Sequence, residues 1–282
     1  MKNRSERQSL SWGSSPYLVW MLIFIVIPSF LILFYAFTER DEQGIRFTLN
    51  NFYKFCEPIY ITVLLKSLGL ALFSTFVCLV VGYPVAMILA SKQFSKSATL
   101  SMLFIVPMWM NFLLRTYSWL TLLEKNGIIN SILSFFNLPK INILYTDAAV
   151  VLGMVYNFLP FMILPIYTVM MKIDGKLIEA AQDLGGNSLM VFRRITLPLS
   201  IPGVMSGITM VFMPAVTTFV ISKLLGGGQY TLIGNFIERQ FIQLSDWNFG
   251  SAISMIMMIF ILISIGIMSK FDEEKGGGAG LW

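Results

Sequence analysis

Apolar residues in this chain are gathered into long runs, and polar residues into the shorter stretches between them. Six runs, at residues 16–37, 63–90, 100–123, 148–171, 199–225 and 249–268, are long enough for helices that cross a hydrocarbon core, which takes roughly 20 apolar residues. The alternation of a membrane barrel is missing from all of them. Open backbone cannot face lipid, so each run predicts a transmembrane helix.

The fourth and fifth runs are separated by the stretch EAAQDLGGNSLMVFRRITLP, residues 179–198, which is polar and helical in pattern. Asp174 is placed to cap a short helix over 175–184, and the pair Gly185-Gly186 to end it, because glycine accepts the left-handed turn past a helix C-terminus. Asn187 or Ser188 then caps a second short helix carrying Arg193 and Arg194 in its last turn, and Pro198 stops it and starts the next span. Leu177, Ile178, Ala181 and Leu184 form an apolar face on the first helix, and Leu189, Phe192 and Ile195 on the second. A plain connector that packs on its own protein would satisfy this pattern, and so would a docking element.

Composition agrees with the membrane reading. The 282 residues are 56% hydrophobic and 12% charged, about half the charge of a soluble domain, with a mean hydropathy of +0.74. The net charge of +5 is spread between runs and forms no basic stripe, so a nucleic-acid partner is not expected. Lys and Arg concentrate on one side: the N-terminal segment, Lys92, Lys96, Lys172, Lys176, Arg193, Arg194, Lys270 and Lys275. The positive-inside rule places that side, with both termini and the insert, in the cytoplasm. The opposite loops are slightly acidic, which favours a cationic solute. The first run is longer than a signal-peptide core and no A-x-A site follows, so it is expected to remain as an anchor. Cys56 and Cys78 fall at different depths, which argues against a disulfide, and the absence of His removes His-based zinc, haem and triad chemistry.

Glu179-Ala180-Ala181, three residues, Gly185, nine residues, then Ile195-x-Leu197-Pro198 resembles the EAA loop of ABC importer permeases. In that family the loop supplies a coupling helix that docks into a groove of a cytoplasmic ATPase. The resemblance extends along the chain through VGYPVAMILA (81–90), PMWMNFLLRTYSWL (107–120), GMVYNFLPFMILPIY (153–167), LGGGQYTLIGNFIERQF (225–241) and DWNFGSA (246–252), and is nearest to the first permease subunit of spermidine/putrescine importers. It implies an all-α, six-helix integral membrane protein of the type I importer (MetI-like) fold. Residues 1–15 would form a cytoplasmic segment, 16–269 the permease domain with its coupling loop at 174–198, and 270–282 a disordered cytoplasmic tail. It also implies four kinds of partner: a second related permease, two copies of an ABC ATPase, an extracytoplasmic polyamine-binding protein and membrane lipid. ATP and Mg would be bound by the ATPase, with no cofactor on this chain, which would be a non-catalytic subunit in the cytoplasmic membrane of a bacterium. Two departures stand out. Gly186 occupies a position where relatives often carry Ala, which is expected to loosen the turn, and Lys66 stands where relatives often have a small polar residue, close enough to a membrane boundary to snorkel.

A polyamine moving through the membrane needs carboxylates and aromatic faces, each cation–π contact contributing about 0.5–2 kcal/mol. Trp109, Tyr117, Trp119, Tyr156 and Phe158 supply faces, Asn111 and Asn157 neutral polar groups, and Glu238 and Asp246 carboxylates near the outer mouth. Arg115, a charge deep in a span, suits a structural or interface role better than a cation path. The run Gly226–Gly228 lacks the Lys-Ser or Lys-Thr of a phosphate loop. Of the prolines that punctuate the spans, Pro214 is the one expected nearest a functional bend. Three other readings remain: import of thiamine, iron or phosphonate by the same machinery, an ion-coupled secondary transporter that would not need the insert, and a membrane enzyme, for which convergent reactive groups are lacking.

Overall fold

The computed structural model describes residues 15–41, 44–91, 106, 108–228 and 231–275. The N-terminal segment 1–14, the start of the third apolar run at 100–105 with Lys92 and Lys96 before it, and the chain end at 276–282 lie outside the described residues. In order, the elements are α1 (Pro16–Ala36), β1 (Thr38–Asp41), β2 (Gly44–Phe47), α2 (Asn50–Phe55), α3 (Pro58–Ala90), α4 (Phe112–Leu123), α5 (Ile128–Phe135), α6 (Asp147–Met170), α7 (Gly175–Asp183), α8 (Ser188–Thr217), α9 (Val220–Leu225), α10 (Ile233–Glu238) and α11 (Trp247–Lys275). Helices α1, α3, α6, α8 and α11 are each long and apolar enough to cross a membrane, and α4 carries the described part of the third predicted span. The last helix continues to Lys275, past position 270 where order was expected to end.

Two units divide the chain: residues 1–61 with 237–260, and residues 62–236 with 261–282. In the first, α1 runs into the antiparallel hairpin β1–β2, with Thr38 opposite Phe47. The end of α1 leaves carbonyls without intrahelical donors, and two asparagine amides supply them. Asn248 Nδ2 donates to Tyr35 O at 3.1 Å and Asn51 Nδ2 to Ala36 O at 3.4 Å, and both amides also reach Thr38 O in β1, at 2.6 Å and 3.1 Å.

The second unit is built on close helix approach. In a bilayer, helices associate through packing rather than hydrophobic exclusion, so small residues at the contact decide how near two backbones come. Gly203 and Gly207, one turn apart on α8, face α6 so closely that a Cβ at 203 would lie 2.9 Å from Pro165 O and one at 207 would lie 2.8 Å from Met162 Sδ. Gly82 of α3 meets the same Met162 at 3.1 Å. Met162 is thus fully buried between glycine notches on two helices, beside Ile163, Ile166 and Met154. Polar contacts tie the same helices: Tyr83 OH and Ser200 Oγ lie 2.8 Å apart, and Ser74 Oγ donates to Met154 Sδ at 3.4 Å.

Two prolines that should break their helices are accommodated. A proline ring clashes with the carbonyl four residues earlier and brings no N–H. Ahead of Pro28 and ahead of Pro198 the helix widens into a five-residue π turn, Leu22–Val26 and Phe192–Thr196, closed by Ile27 N–H to Leu22 O and Leu197 N–H to Phe192 O. Pro198 therefore does not stop a short helix, as the sequence suggests; α8 runs unbroken from Ser188 to Thr217. The break comes later, four residues after Pro214, where Thr218 turns extended and α9 starts as a separate piece. The predicted fifth span of 199–225 is accordingly two elements.

Gly207→Leu would force a branched side chain into the Met162 contact. Overpacking of this kind costs about 1–3 kcal/mol or more, so we expect a lower Tm for the purified protein in detergent, while a Gly69→Leu control, where a Cβ meets nothing within 4 Å, leaves Tm near the wild-type value.

Candidate functional site: a capped helical turn between two spanning helices

The insert leaves α6 at Met170 and is ordered by its own capping groups. Asp174 Oδ1 accepts the Lys176 N–H at 3.0 Å and starts α7. Its C-terminus closes through two bonds, Gly185 N–H to Gln182 O and Gly186 N–H to Ala181 O, both 2.9 Å, with Gly185 at φ +84°. This is the paired closure that a left-handed residue after a helix permits. Asn187 then caps α8, its Oδ1 accepting Met190 N–H at 2.8 Å, so the Asn of the two candidate caps holds the role. The turn is tight, with one residue, Gly186, between the left-handed glycine and the next cap.

Gly186 does not loosen this turn. A Cβ there would sit 2.6 Å from Ala181 O, the carbonyl that Gly186 itself bonds. Glycine at 186 is what lets the chain close onto α7. At Gly185 a Cβ meets nothing within 4 Å, so the demand for glycine there comes from φ alone.

The apolar face of the insert is only partly folded back onto this chain, with Phe192 meeting the Tyr83 ring of α3 edge-on at 5.9 Å. Leu184 is 90% exposed, Leu189 63% and Leu177 50%, while Glu179 and Ala180 also face outward. Ala181 and Ile195 are half-buried, Leu197 and Pro198 exposed, and Val191 is the buried anchor of the second arm. Three leucine side chains standing clear of the protein on a capped frame suit docking better than a wholly self-packing connector.

The residues read as a solute path fall in both units: Trp109, Asn111, Tyr117, Tyr156 and Asn157 in the second, Glu238 and Asp246 in the first. Asn111 is the N-cap of α4, accepting Leu113 N–H at 2.8 Å. Trp109 and Tyr117 are exposed, whereas the Tyr156 ring meets Trp119 edge-on at 5.2 Å and Phe158 stacks on Phe112 at 6.5 Å, so these aromatics pack α4 against α6. Asn157 is fully buried, with Nδ2 bonded to Gly153 O at 2.9 Å, and its Oδ1 accepts no hydrogen bond among the described residues. Arg115 is buried in α4, its Nε likewise without an acceptor among the described residues. Asp246 is committed elsewhere: it caps α11 by accepting Phe249 N–H at 3.0 Å and lies 3.8 Å from Lys54 Nζ, which sits over the Phe249 ring at 4.3 Å. Glu238 ends α10, half-buried and in the same unit as Asp246.

Several organising side chains carried no sequence signal beyond being short and polar. Asn130 pins the loop after α4, donating to Glu124 O and Ile141 O and accepting Ile141 N–H, all within 3.0 Å. Asn235, inside the block LIGNFIERQF, donates to Phe219 O at 2.8 Å and accepts Leu232 N–H, satisfying backbone at the α8–α9 break. Ser67 accepts Ile233 N–H at 2.8 Å. Next to it, Lys66 does not run alone to a boundary but reaches the Asp147 carboxylate at 3.2 Å.

Residues 82–272 match the family model described as the binding-protein-dependent transport system inner membrane component. The chain is 40% identical over 254 residues to the spermidine/putrescine transport system permease protein PotB of Escherichia coli (strain K12), covering 88% of this chain and 91% of that one. The protein of the same description from Haemophilus influenzae is 36% identical over 259 residues, covering 90% and 91%. Among solved structures, the fold is similar to a bacterial ABC transporter involved in the import of the acidic polysaccharide alginate, with a TM-score of 0.77 at 18% identity over 98% of both chains. The MetNI methionine ABC transporter gives 0.57 at 16% identity, over 77% of this chain and 98% of that one.

Gly186→Ala should open the turn between α7 and α8. In hydrogen exchange on the purified protein, the Gly185 and residue-186 amides are expected to exchange faster by about tenfold, as for loss of roughly 1–2 kcal/mol of local closure, while amides in the middle of α6 stay protected.

Proposed function

The chain belongs to the family of binding-protein-dependent transport system inner membrane components, and on that footing we propose that it forms half of the translocation path of an ATP-driven polyamine importer. The carrying observation is the identity of 36–40% to spermidine/putrescine permease proteins across about nine-tenths of both chains. The chain is a transport subunit of a bacterial membrane importer. The finer reading gives it a second related permease, two copies of an ABC ATPase that hold ATP and Mg, an extracytoplasmic polyamine-binding protein, and both termini in the cytoplasm. Chemistry on ATP then belongs to the ATPase, and this chain does mechanical work.

The insert supports that division. Its exposed leucines offer an apolar contact to a cytoplasmic groove, Glu179 adds a carboxylate for a charge-assisted hydrogen bond, and Ala180 keeps the approach close. Nucleotide binding that draws two ATPase copies together would move the two insert arms, and through them the helices, between inward- and outward-facing arrangements. Import of thiamine, iron or phosphonate would use the same mechanics. The external binding protein would distinguish them, since it selects the solute before the membrane is reached.

ATP-dependent uptake of labelled spermidine into proteoliposomes holding the whole complex tests both parts. Glu179→Lys should lower uptake about ten- to a hundredfold, the loss expected for reversing one charge-assisted contact, with the membrane subunits still assembled. Wild-type uptake that ignores spermidine but responds to another solute would overturn the substrate, and unchanged uptake in Glu179→Lys would overturn the docking role.

A further inference from the structure

At the end of α6 remote from the insert, about 36 Å away along its 24 residues, Lys66 Nζ of α3 stands 3.2 Å from Asp147 Oδ1. The two side chains are 38% and 47% exposed, so this chain does not enclose the pair. Asp147 Oδ1 is itself covered yet accepts no hydrogen bond among the described residues, so the contact with Lys66 is one of charge rather than of direction. Nor does the fold depend on it. Ser67 fixes α3 by accepting Ile233 N–H, and Thr146 caps the start of α6. Tyr145 N–H bonds Leu225 O at 2.9 Å, with its ring seated against Gly227. A half-exposed ion pair adds little to stability, and this one joins backbones that are already held.

The chemistry of the occupant is the informative part. A lysine side chain is four methylenes ending in a primary ammonium, which is also the chemistry of one end of an aliphatic polyamine. Tyr145, two residues before the carboxylate and 46% exposed, adds an aromatic face of the kind such a chain lies against. We propose that Asp147 is the outer recognition carboxylate for a primary ammonium of the imported polyamine, and that Lys66 is its resident place-holder, displaced when the solute arrives. The inference rests on the reading of this chain as a polyamine importer subunit with its insert in the cytoplasm. One ammonium replaces another, so the carboxylate is never left uncompensated. The tethered competitor acts at an effective concentration of about millimolar, so a solute that gains a second contact from its other ammonium displaces it more readily than a monoamine does.

The test is uptake of subsaturating spermidine by the whole complex in proteoliposomes, for wild type, Lys66→Gln, Asp147→Asn and the double variant. Losing the carboxylate should lower uptake at least about tenfold, whereas losing the place-holder should raise it about twofold or more. The double variant, which leaves no unpaired charge and so assembles, should stay as low as Asp147→Asn. A pair that merely braces two helices predicts the opposite: both single variants fall alike and the double recovers, and that result, or wild-type uptake in Asp147→Asn, overturns the inference. Wild-type complex that takes up no spermidine sinks the importer reading and this one together, while normal wild-type uptake with symmetric variants sinks this one alone.

Discussion

Every backbone N–H and C=O inside a hydrocarbon slab must find its partner within the protein, because no water is present to take its place. Most of this structure answers that requirement. Long helices satisfy most of it for five spans, although Pro84, Pro160, Pro165, Pro202 and Pro214 each remove a donor from within one, and two other interruptions show how the ladder is closed. Where Pro28 and Pro198 remove a donor, a wider turn ahead of each closes the ladder one residue further back. Where α8 does end, Thr218 N–H bonds Pro214 O, and the Phe219 carbonyl that starts α9 accepts both the Lys223 N–H and the Asn235 amide. Gly234 lies close enough to Thr217 O, 2.5 Å from where its Cβ would be, that no other residue fits.

The second constraint is proximity. Gly82, Gly203 and Gly207 do not add contacts of their own; they remove side chains so that Met162 and the α6 backbone can come near. Dispersion falls off steeply with separation, so a notch of this kind is worth more between helices in lipid than the apolar area it buries would suggest. Polar side chains then act as stitches. Asn51, Asn248, Asn130 and Asn235 each reach at least one backbone group from another stretch of the chain, and together they hold the helix ends that the ladder leaves open.

The spans and the insert's boundaries were legible because they rest on local rules: length of apolar run, capping residue, glycine after a helix. Asp174, Asn187 and Gly185 do what their types and positions suggest. Pro198 misled because the breaking rule is local while its remedy, the π turn at Phe192–Thr196, has no residue signature. Gly186 misled in the other direction, since its neighbour across the turn, Ala181 O, is invisible until the turn is closed. The solute-path candidates fared differently for a chemical reason. An asparagine that caps a helix, one that bonds a carbonyl in its own helix and one that greets an ammonium use the same atoms. Asn111 and Asp246 proved to be caps, and nothing in their sequence surroundings distinguishes that use from the other.

The continuity of α8 has a mechanical consequence. Its 30 residues extend about 45 Å, from the exposed turn to the break at Thr218. A hinge at Pro198 would have absorbed any motion begun at the turn. If α8 moves as one body, tilting it by about 10° about its Ser188 end carries Thr217 sideways by about 8 Å over that length. That is wider than the bare carbon chain of a linear amine, and it arrives where the helical ladder is already interrupted at Thr218.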